Sequence, residues 1–238
     1  MGLVKTERMP ASFCGADVLI SPEGAFRIVE DMVTMMMGDL QIDGVTCQEK
    51  YGAVWVFVRN RIEMPQLLKW KEEYTAVCSI SSFTRARLYV DTVLKKKDGT
   101  IALASRLELC AVELDTGKIR KTSSVGVGEG TPAEEPLTDP KYSKEKPIRA
   151  ELVDEIVVRS SDIDFCKHTN NVSYIRYVMN QLPISELMKR PVRGFEIQYV
   201  NQTHEGDTLS VYRCESETGE AFTIEHEGRT AVNCLITR

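Results

Sequence analysis

Residues 162–174 read Asp-Ile-Asp-Phe-Cys-Lys-His-Thr-Asn-Asn-Val-Ser-Tyr, and this stretch is the most informative part of the chain. It places a carboxylate, a thiol and an imidazole at Asp164, Cys166 and His168. In an extended segment, side chains two residues apart point to the same side, so we expect all three to face one cleft. A helix is predicted to begin at Asn170–Asn171, and its first turn would offer unpaired backbone N–H groups to an oxyanion. This combination favours attack on a carbonyl group over a purely structural turn.

The pattern on either side of this stretch predicts two copies of one plan, a helix followed by antiparallel strands. The first helix is predicted over residues 22–37, with Ser21 as its cap, and the second over residues 171–182, closed by Pro183. Strands are predicted at 51–63, 74–80, 85–95, 100–114, 152–160, 195–201, 208–214, 221–227 and 230–237. Such a repeat predicts an α+β fold in which two antiparallel sheets each wrap a long helix and pair their edges.

Composition and charge exclude several classes of protein. The chain has 238 residues, 42% of them hydrophobic, and a net charge of −5, which argues against nucleic acid as a partner. No apolar run reaches the length of a membrane span, so we expect no stable membrane insertion. The seven cysteines are far apart and form no CxxC pair, so neither a disulfide framework nor a metal site is predicted, and we expect reduced thiols in a cytoplasmic protein.

The central stretch also carries a family resemblance. The pattern Asp-x-Asp at 162–164, followed by His-x-Asn-Asn-x-x-Tyr at 168–174, resembles the active-site segment of hot-dog thioesterases. Over nearly its whole length, the chain resembles the acyl-acyl-carrier-protein (acyl-ACP) thioesterases, meaning the plant fatty-acyl enzymes and their bacterial relatives. The likeness is sharpest at residues 159–180 and 195–207.

This resemblance implies a tandem hot-dog fold. Residues 1–130 would form an N-terminal repeat on the acyl-pocket side, and residues 151–238 a C-terminal repeat on the catalytic side. A Gly- and Pro-containing linker at 131–150 would join them. The implied activity is hydrolysis of a fatty acyl thioester on acyl carrier protein, which releases free fatty acid. No cofactor is expected, because the phosphopantetheine arm belongs to the substrate, and the protein is expected to be a monomer or a homodimer.

The site residues carried over from the resemblance include two departures from the family pattern. Asp164 and His168 fall on family catalytic positions, whereas Cys166 stands where the family usually has Asn, and Gln202 stands where it usually has Glu. A Gln cannot act as a base and would only orient a water molecule. The candidate catalytic residues are therefore Asp164, His168, Cys166 and Gln202, and the candidate oxyanion or substrate-binding residues are Asn170, Asn171 and Tyr174.

Three chemical routes are open at this stage. Water could attack the thioester while Asp164 or His168 takes its proton, Asp164 could attack directly and form an anhydride, or Cys166 could accept the acyl group after activation by His168. The first two are preferred, because transfer from one thioester to another gains little for a hydrolase. Asp162 is expected to cap a turn, and His204 and His226 are expected to be ordinary surface or packed histidines.

Two other functions remain as alternatives. The same catalytic segment would serve a thioesterase that acts on acyl-CoA, and Cys166 and Gln202 are compatible with an acyl-binding hot-dog protein that has no activity. Acyl chain-length preference depends on pocket depth and cannot be predicted from one sequence.

Overall fold

The computed structural model describes residues 2–128, 130–137, 142–143, 151–216 and 218–238. The strands are β1 (Leu3–Arg8), β2 (Ala53–Glu63), β3 (Glu73–Phe83), β4 (Leu88–Lys96), β5 (Ile101–Glu113), β6 (Glu151–Val157), β7 (Gly194–Tyr199), β8 (Thr208–Glu215), β9 (Gly219–His226) and β10 (Arg229–Thr237). The helices are α1 (Pro22–Asp39), α2 (Gly44–Tyr51), α3 (Asn171–Met179) and α4 (Ile184–Lys189).

The strands form one continuous antiparallel sheet, in the order β1-β3-β4-β5-β2-β7-β10-β9-β8-β6. Read outward from its centre, this order is the same in both halves if β1 to β5 correspond to β6 to β10. The helices repeat as well, because α1 and α2 correspond in order to α3 and α4. The predicted internal repeat is therefore present in the topology. We call β1 to β5 with α1 and α2 the N-terminal half, and the remaining elements the C-terminal half.

Several details differ from the expectation of two sheets that each wrap a long helix. The halves share one sheet, each half begins with a strand before its first helix, and α3 spans only nine residues against 18 in α1. The start of α1 agrees with the prediction, since Ser21 accepts a hydrogen bond from Gly24 N and Pro22 occupies the first turn. Much of the predicted linker at 131–150 lies outside the described residues.

The two halves are joined where β2 pairs with β7, between residues 59–63 and 194–198. Arg59 Nε donates to Glu196 Oε1 at 2.7 Å across this seam, and Arg61 lies 3.7 Å from the other oxygen of the buried Glu196. Removing one partner of a buried ion pair typically costs about 3–5 kcal/mol, so the seam resists separation. Phe26 of α1 packs edge-on against Phe195 of β7, with ring centroids 5.3 Å apart, and joins the cores of the two halves.

None of the helices in the described ranges combines the length and hydrophobicity that a membrane span requires.

Candidate active site

The stretch from Asp164 to His168 forms a tight turn between Ile163 and Thr169, which pair as an isolated antiparallel bridge. Asp164 N donates to His168 O at 3.0 Å, and Lys167 adopts a positive φ of 64° to close the turn. The prediction of an extended segment is therefore wrong. The reason is local: an Asp side chain readily bonds backbone N–H groups just after it, and this stabilises a turn.

The turn presents its side chains to a cavity of about 380 Å³. From the C-terminal half, the cavity is lined by Asp164, Phe165, Cys166, Lys167, His168, Thr169, Asn171, Tyr174, Tyr199, Val200, Asn201 and Gln202. From the N-terminal half, it is lined by Gln48, Val54, Trp55, Val56, Phe57 and Leu114. The wall formed by residues 164–171 is therefore polar, and the wall formed by β2 is largely apolar. Such a combination suits a ligand with a reactive polar group and an apolar tail.

Asp164 uses one carboxylate oxygen to hold the turn. Its Oδ1 accepts from Cys166 N at 2.8 Å and from His168 N at 3.5 Å. Its Oδ2 has no hydrogen-bond donor within the part of the chain that the structure describes. The backbone thus fixes the carboxylate and leaves one oxygen available to a ligand or a water molecule in the cavity.

The surroundings of His168 favour its neutral imidazole over the protonated form. Partial burial lowers its pKa from 6.5, and the neighbouring His204 lowers it further, while Asp164 opposes both effects. The rings of His168 and His204 meet edge-on, with centroids 5.1 Å apart. A neutral imidazole is able to accept a proton at pH 7. The expectation that His204 is an ordinary histidine misses this contact, which no local sequence pattern signals.

Cys166 lines the cavity without the partner that a nucleophilic thiol needs. Burial and the charge of Asp164 raise its pKa above 9.0, which favours the protonated thiol. No hydrogen bond joins Cys166 to His168 among the contacts of the described residues. The arrangement therefore disfavours a Cys–His nucleophile, because the reactive form of Cys is the thiolate.

The two asparagines at the start of α3 have different positions. Asn170 is the helix cap: its side chain accepts from Val172 N at 2.8 Å, and its own N–H donates to Asp162 O at 2.7 Å. Asn170 does not line the cavity, and its contact with substrate stays a prediction. Asn171 does line it, and no acceptor for its backbone N–H lies among the described residues. Of the two, Asn171 is the candidate oxyanion donor.

A buried hydroxyl network supports the cavity wall. Thr203 Oγ1 lies 2.6 Å from Thr169 Oγ1 and 2.7 Å from the Tyr174 hydroxyl, so the predicted wall residue Tyr174 has its polar end satisfied. Gln202 lies next to this network, is exposed, and contributes to the lining. Asp162 caps the turn as expected, because its Oδ2 accepts from Arg159 N at 2.8 Å. It also forms an ion pair with Arg176.

The N-terminal half contains the same turn without the polar groups. Cys14 and Ile20 form the equivalent bridge, and Gly15 N donates to Leu19 O at 2.8 Å, as Asp164 does to His168. Val18 has a positive φ of 60°, which matches Lys167. Gly15 and Leu19 therefore occupy the places of Asp164 and His168.

The N-terminal turn lines a smaller cavity of about 80 Å³, which Leu187 and Met188 of α4 help to enclose. Because its turn carries Gly and Leu instead of Asp and His, the N-terminal half lacks the polar groups of the large cavity.

Comparison with known proteins agrees with this architecture. Residues 145–235 match the family model for the acyl-ACP thioesterase C-terminal domain. No curated protein matches the sequence.

Solved structures match over nearly the whole chain. An acyl-ACP thioesterase from Bacteroides thetaiotaomicron superposes with a TM-score of 0.90 at 20% identity, covering 99% of this chain and 97% of its own. The 12:0-ACP thioesterase from Umbellularia californica superposes with a TM-score of 0.86 at 15% identity, covering 99% of this chain and 96% of its own. Residues 145–235 thus match the model of the acyl-ACP thioesterase C-terminal domain, and the whole chain shares its tandem hot-dog fold with solved acyl-ACP thioesterase structures.

Proposed function

We propose that this protein hydrolyses fatty acyl thioesters carried by acyl carrier protein and releases the free fatty acid. The observation that carries the proposal is that Asp164 and His168 line one cavity whose opposite wall is apolar and comes from the N-terminal half. The family of residues 145–235 and the full-length superpositions support the same reaction.

The proposed reaction uses water as the nucleophile. The Oδ2 of Asp164 orients the water, and the neutral imidazole of His168 accepts its proton as the oxygen attacks the carbonyl carbon. The C–S bond then breaks, the proton passes to the leaving sulfur, and a carboxylic acid and a thiol are released. The reaction consumes one water molecule and needs no redox partner.

The tetrahedral intermediate requires a donor for its oxyanion. Asn171, at the first position of α3, lines the same cavity, and its backbone N–H benefits from the positive end of the helix dipole. Removing one oxyanion donor typically costs about 3–4 kcal/mol in the transition state, so this group would carry much of the rate enhancement.

Two alternative routes differ from attack by water in the nucleophile. Direct attack by Asp164 would form an anhydride and would use the same free oxygen. The thiol route through Cys166 is disfavoured, because its pKa is raised and it has no bond to His168. In the preferred route, Cys166 is a small packing residue at the cavity wall.

The apolar tail of the substrate is proposed to lie against β2. Val54, Trp55, Val56 and Phe57 line this wall, and the Trp55 indole donates to Ile42 O at 2.7 Å, which fixes its ring. At the rim, Lys167 is exposed and lines the opening, where its charge suits an acidic carrier protein.

The test is turnover of matched substrates by the purified protein. Acyl chains of several lengths are supplied on acyl carrier protein and on CoA, and released fatty acid is measured by mass spectrometry. We expect faster turnover of the carrier-bound substrates, and a kcat lower by about a hundredfold or more with His168→Ala. Preference for acyl-CoA would assign the second activity, and binding without turnover would assign an acyl-binding protein.

A further inference from the structure

The mouth of the large cavity carries apolar side chains that the proposed reaction does not use. Phe165 is 79% exposed, the largest fraction among the large hydrophobic residues of the described ranges. Leu114 and Val200 are also exposed, and all three line the cavity. Single exposed apolar residues are normal on a protein surface, whereas a group of them around one opening indicates a binding surface.

Phe165 belongs to the same turn as the proposed catalytic groups. It directly follows Asp164, whose Oδ1 accepts from Cys166 N at 2.8 Å, so the backbone is held on both sides of Phe165. Its ring extends toward α2, because a methyl group on Gly44 would lie 3.9 Å from the Phe165 Cζ atom. The turn therefore holds an aromatic ring at the mouth of the cavity, on the side of α2.

Leu114 and Val200 reach the mouth from two other elements. Leu114 follows β5, and its N–H donates to Gly52 O at 3.0 Å, which ties it to the end of α2. Val200 follows β7, and its N–H donates to Ala231 O at 2.8 Å. Hydrogen bonds thus anchor the backbone at both positions. We call Phe165, Leu114 and Val200 the apolar rim.

In the proposed reaction, the part of the substrate that passes this mouth is the pantetheine arm. The acyl chain is proposed to lie against β2 inside the cavity, so the arm leads outward from a sulfur beside Asp164 and His168. The arm contains two amides and, farther from the sulfur, a carbon that bears two methyl groups. This dimethyl carbon is the most apolar group of the arm, and its distance from the reacting atoms suits a rim at the mouth.

The apolar rim lies too near the reacting atoms to serve as the surface for a carrier protein. Phe165 is next to Asp164 in the chain, and consecutive Cα atoms are about 3.8 Å apart. The carrier protein is attached at the other end of the arm, beyond its phosphate. The ring of Phe165 therefore falls beside the arm, and the same contact is available to an arm that belongs to acyl carrier protein or to CoA.

We propose that Phe165 is a specificity-determining residue that, together with Leu114 and Val200, binds the dimethyl part of the pantetheine arm. This inference rests on the proposed function. Contact with the arm covers the exposed ring, and the apolar area that is removed from water favours binding. Because the contacted part of the substrate does not react, the apolar rim contributes to substrate binding and not to the chemical step.

The test uses one acyl chain on thiols of increasing length. N-acetylcysteamine ends after the first amide, pantetheine adds the dimethyl carbon, and acyl carrier protein and CoA add a phosphate and their own surfaces. Wild type is compared with Phe165→Ala and with Phe165→Leu, which keeps an apolar side chain. The matched control is Trp70→Ala, which removes an exposed aromatic ring that does not line the cavity. Released fatty acid is measured by mass spectrometry.

The expected loss depends on the length of the thiol. Phe165→Ala should raise KM about threefold to tenfold for the thioesters of pantetheine, acyl carrier protein and CoA, with kcat within about twofold. For the N-acetylcysteamine thioester, which lacks the dimethyl carbon, kcat/KM should stay within about twofold of wild type. Phe165→Leu should recover most of the loss, and Trp70→Ala should match wild type with every substrate.

Other outcomes overturn the inference in distinguishable ways. An equal loss with all four thioesters would show that Phe165 acts on the acyl chain or on the turn itself. A loss confined to acyl carrier protein or to CoA would place the ring against the part beyond the phosphate. No loss with any substrate would remove the role of Phe165 and leave the proposed function standing. Absence of hydrolysis of every thioester by wild type would overturn the proposed function and this inference with it.

Discussion

Replacing Glu30 with Gln should stabilise the folded protein at neutral and alkaline pH. The native carboxyl has a pKa of about 7, raised from 4.5 mainly by burial. Between these values the native state keeps its proton while the unfolded state loses it, so stability falls as pH rises through this window. At about 1.4 kcal/mol per pH unit, the loss amounts to about 3 kcal/mol, complete above pH 7. Gln does not titrate and avoids this loss.

Urea denaturation followed by circular dichroism at pH 5 and pH 8 measures the effect. The free energy of unfolding of wild type should fall between the two pH values by about 2–3 kcal/mol more than that of Glu30→Gln, with similar m-values. Asp39→Asn serves as the control and should follow wild type. Equal changes in wild type and Glu30→Gln would refute the reasoning, since the carboxyl would then titrate alike in the folded and unfolded states.

Further predictions concern the turn from Asp164 to His168. His168→Ala and Asp164→Asn should each lower kcat by about a hundredfold or more with unchanged circular dichroism, because Asn at 164 still accepts the turn's hydrogen bonds; full activity in both would place the site elsewhere. Cys166→Ser should keep kcat within about threefold, and no acyl-cysteine should be detected by mass spectrometry of quenched reactions. His204→Phe should move the acid limb of the pH–rate profile to higher pH, because His204 lowers the pKa of His168; an unmoved limb would show that the ring contact has no electrostatic effect.

Glu30 therefore costs the folded protein stability at neutral pH, where Gln at this position would not. The sequence contains a signal for such a buried acid: a Glu between Phe26 and Val33, on the side of a helix whose neighbouring positions are apolar.

Elements with strong local signals were predicted well, and those with weak ones were missed. The start of α1 follows from Ser21 and Pro22, and the break between the strands predicted at 85–95 and 100–114 falls where β4 ends and β5 begins. The strand β1 was missed because it is a mostly exposed edge strand with little alternation. The helix α2 buries only Cys47, although its cap Asp43 could have revealed it.

The arrangement of the site depends on contacts that local patterns do not contain. The pairing of β2 with β7 joins segments more than a hundred residues apart, and it helps to bring the apolar wall of β2 to the cavity that the Asp164–His168 turn lines. The turn itself was predicted as extended, because residues two apart face one side in a strand. In the structure, Asp164 accepts a hydrogen bond from the backbone N–H of Cys166, and Lys167 adopts a left-handed conformation. The side chains of Asp164, Cys166 and His168 therefore line one cavity from a turn and not from a strand.

The equivalent turn in the N-terminal half allows a test of what the proposed active site requires. Gly15→Asp and Leu19→His would place the polar pair on the equivalent turn of the N-terminal half. In a His168→Ala background, we expect these changes to restore no hydrolysis, because that cavity measures about 80 Å³ against about 380 Å³ at the other turn.

The smaller cavity is also enclosed by α4, where Leu187 and Met188 occupy space that an acyl thioester would need. Fatty acid release is the readout, and circular dichroism confirms that the triple variant is folded. Restored turnover would mean that the polar pair alone defines the site. Its continued absence would support the view that the site needs both a polar turn from one half and an open apolar wall from the other.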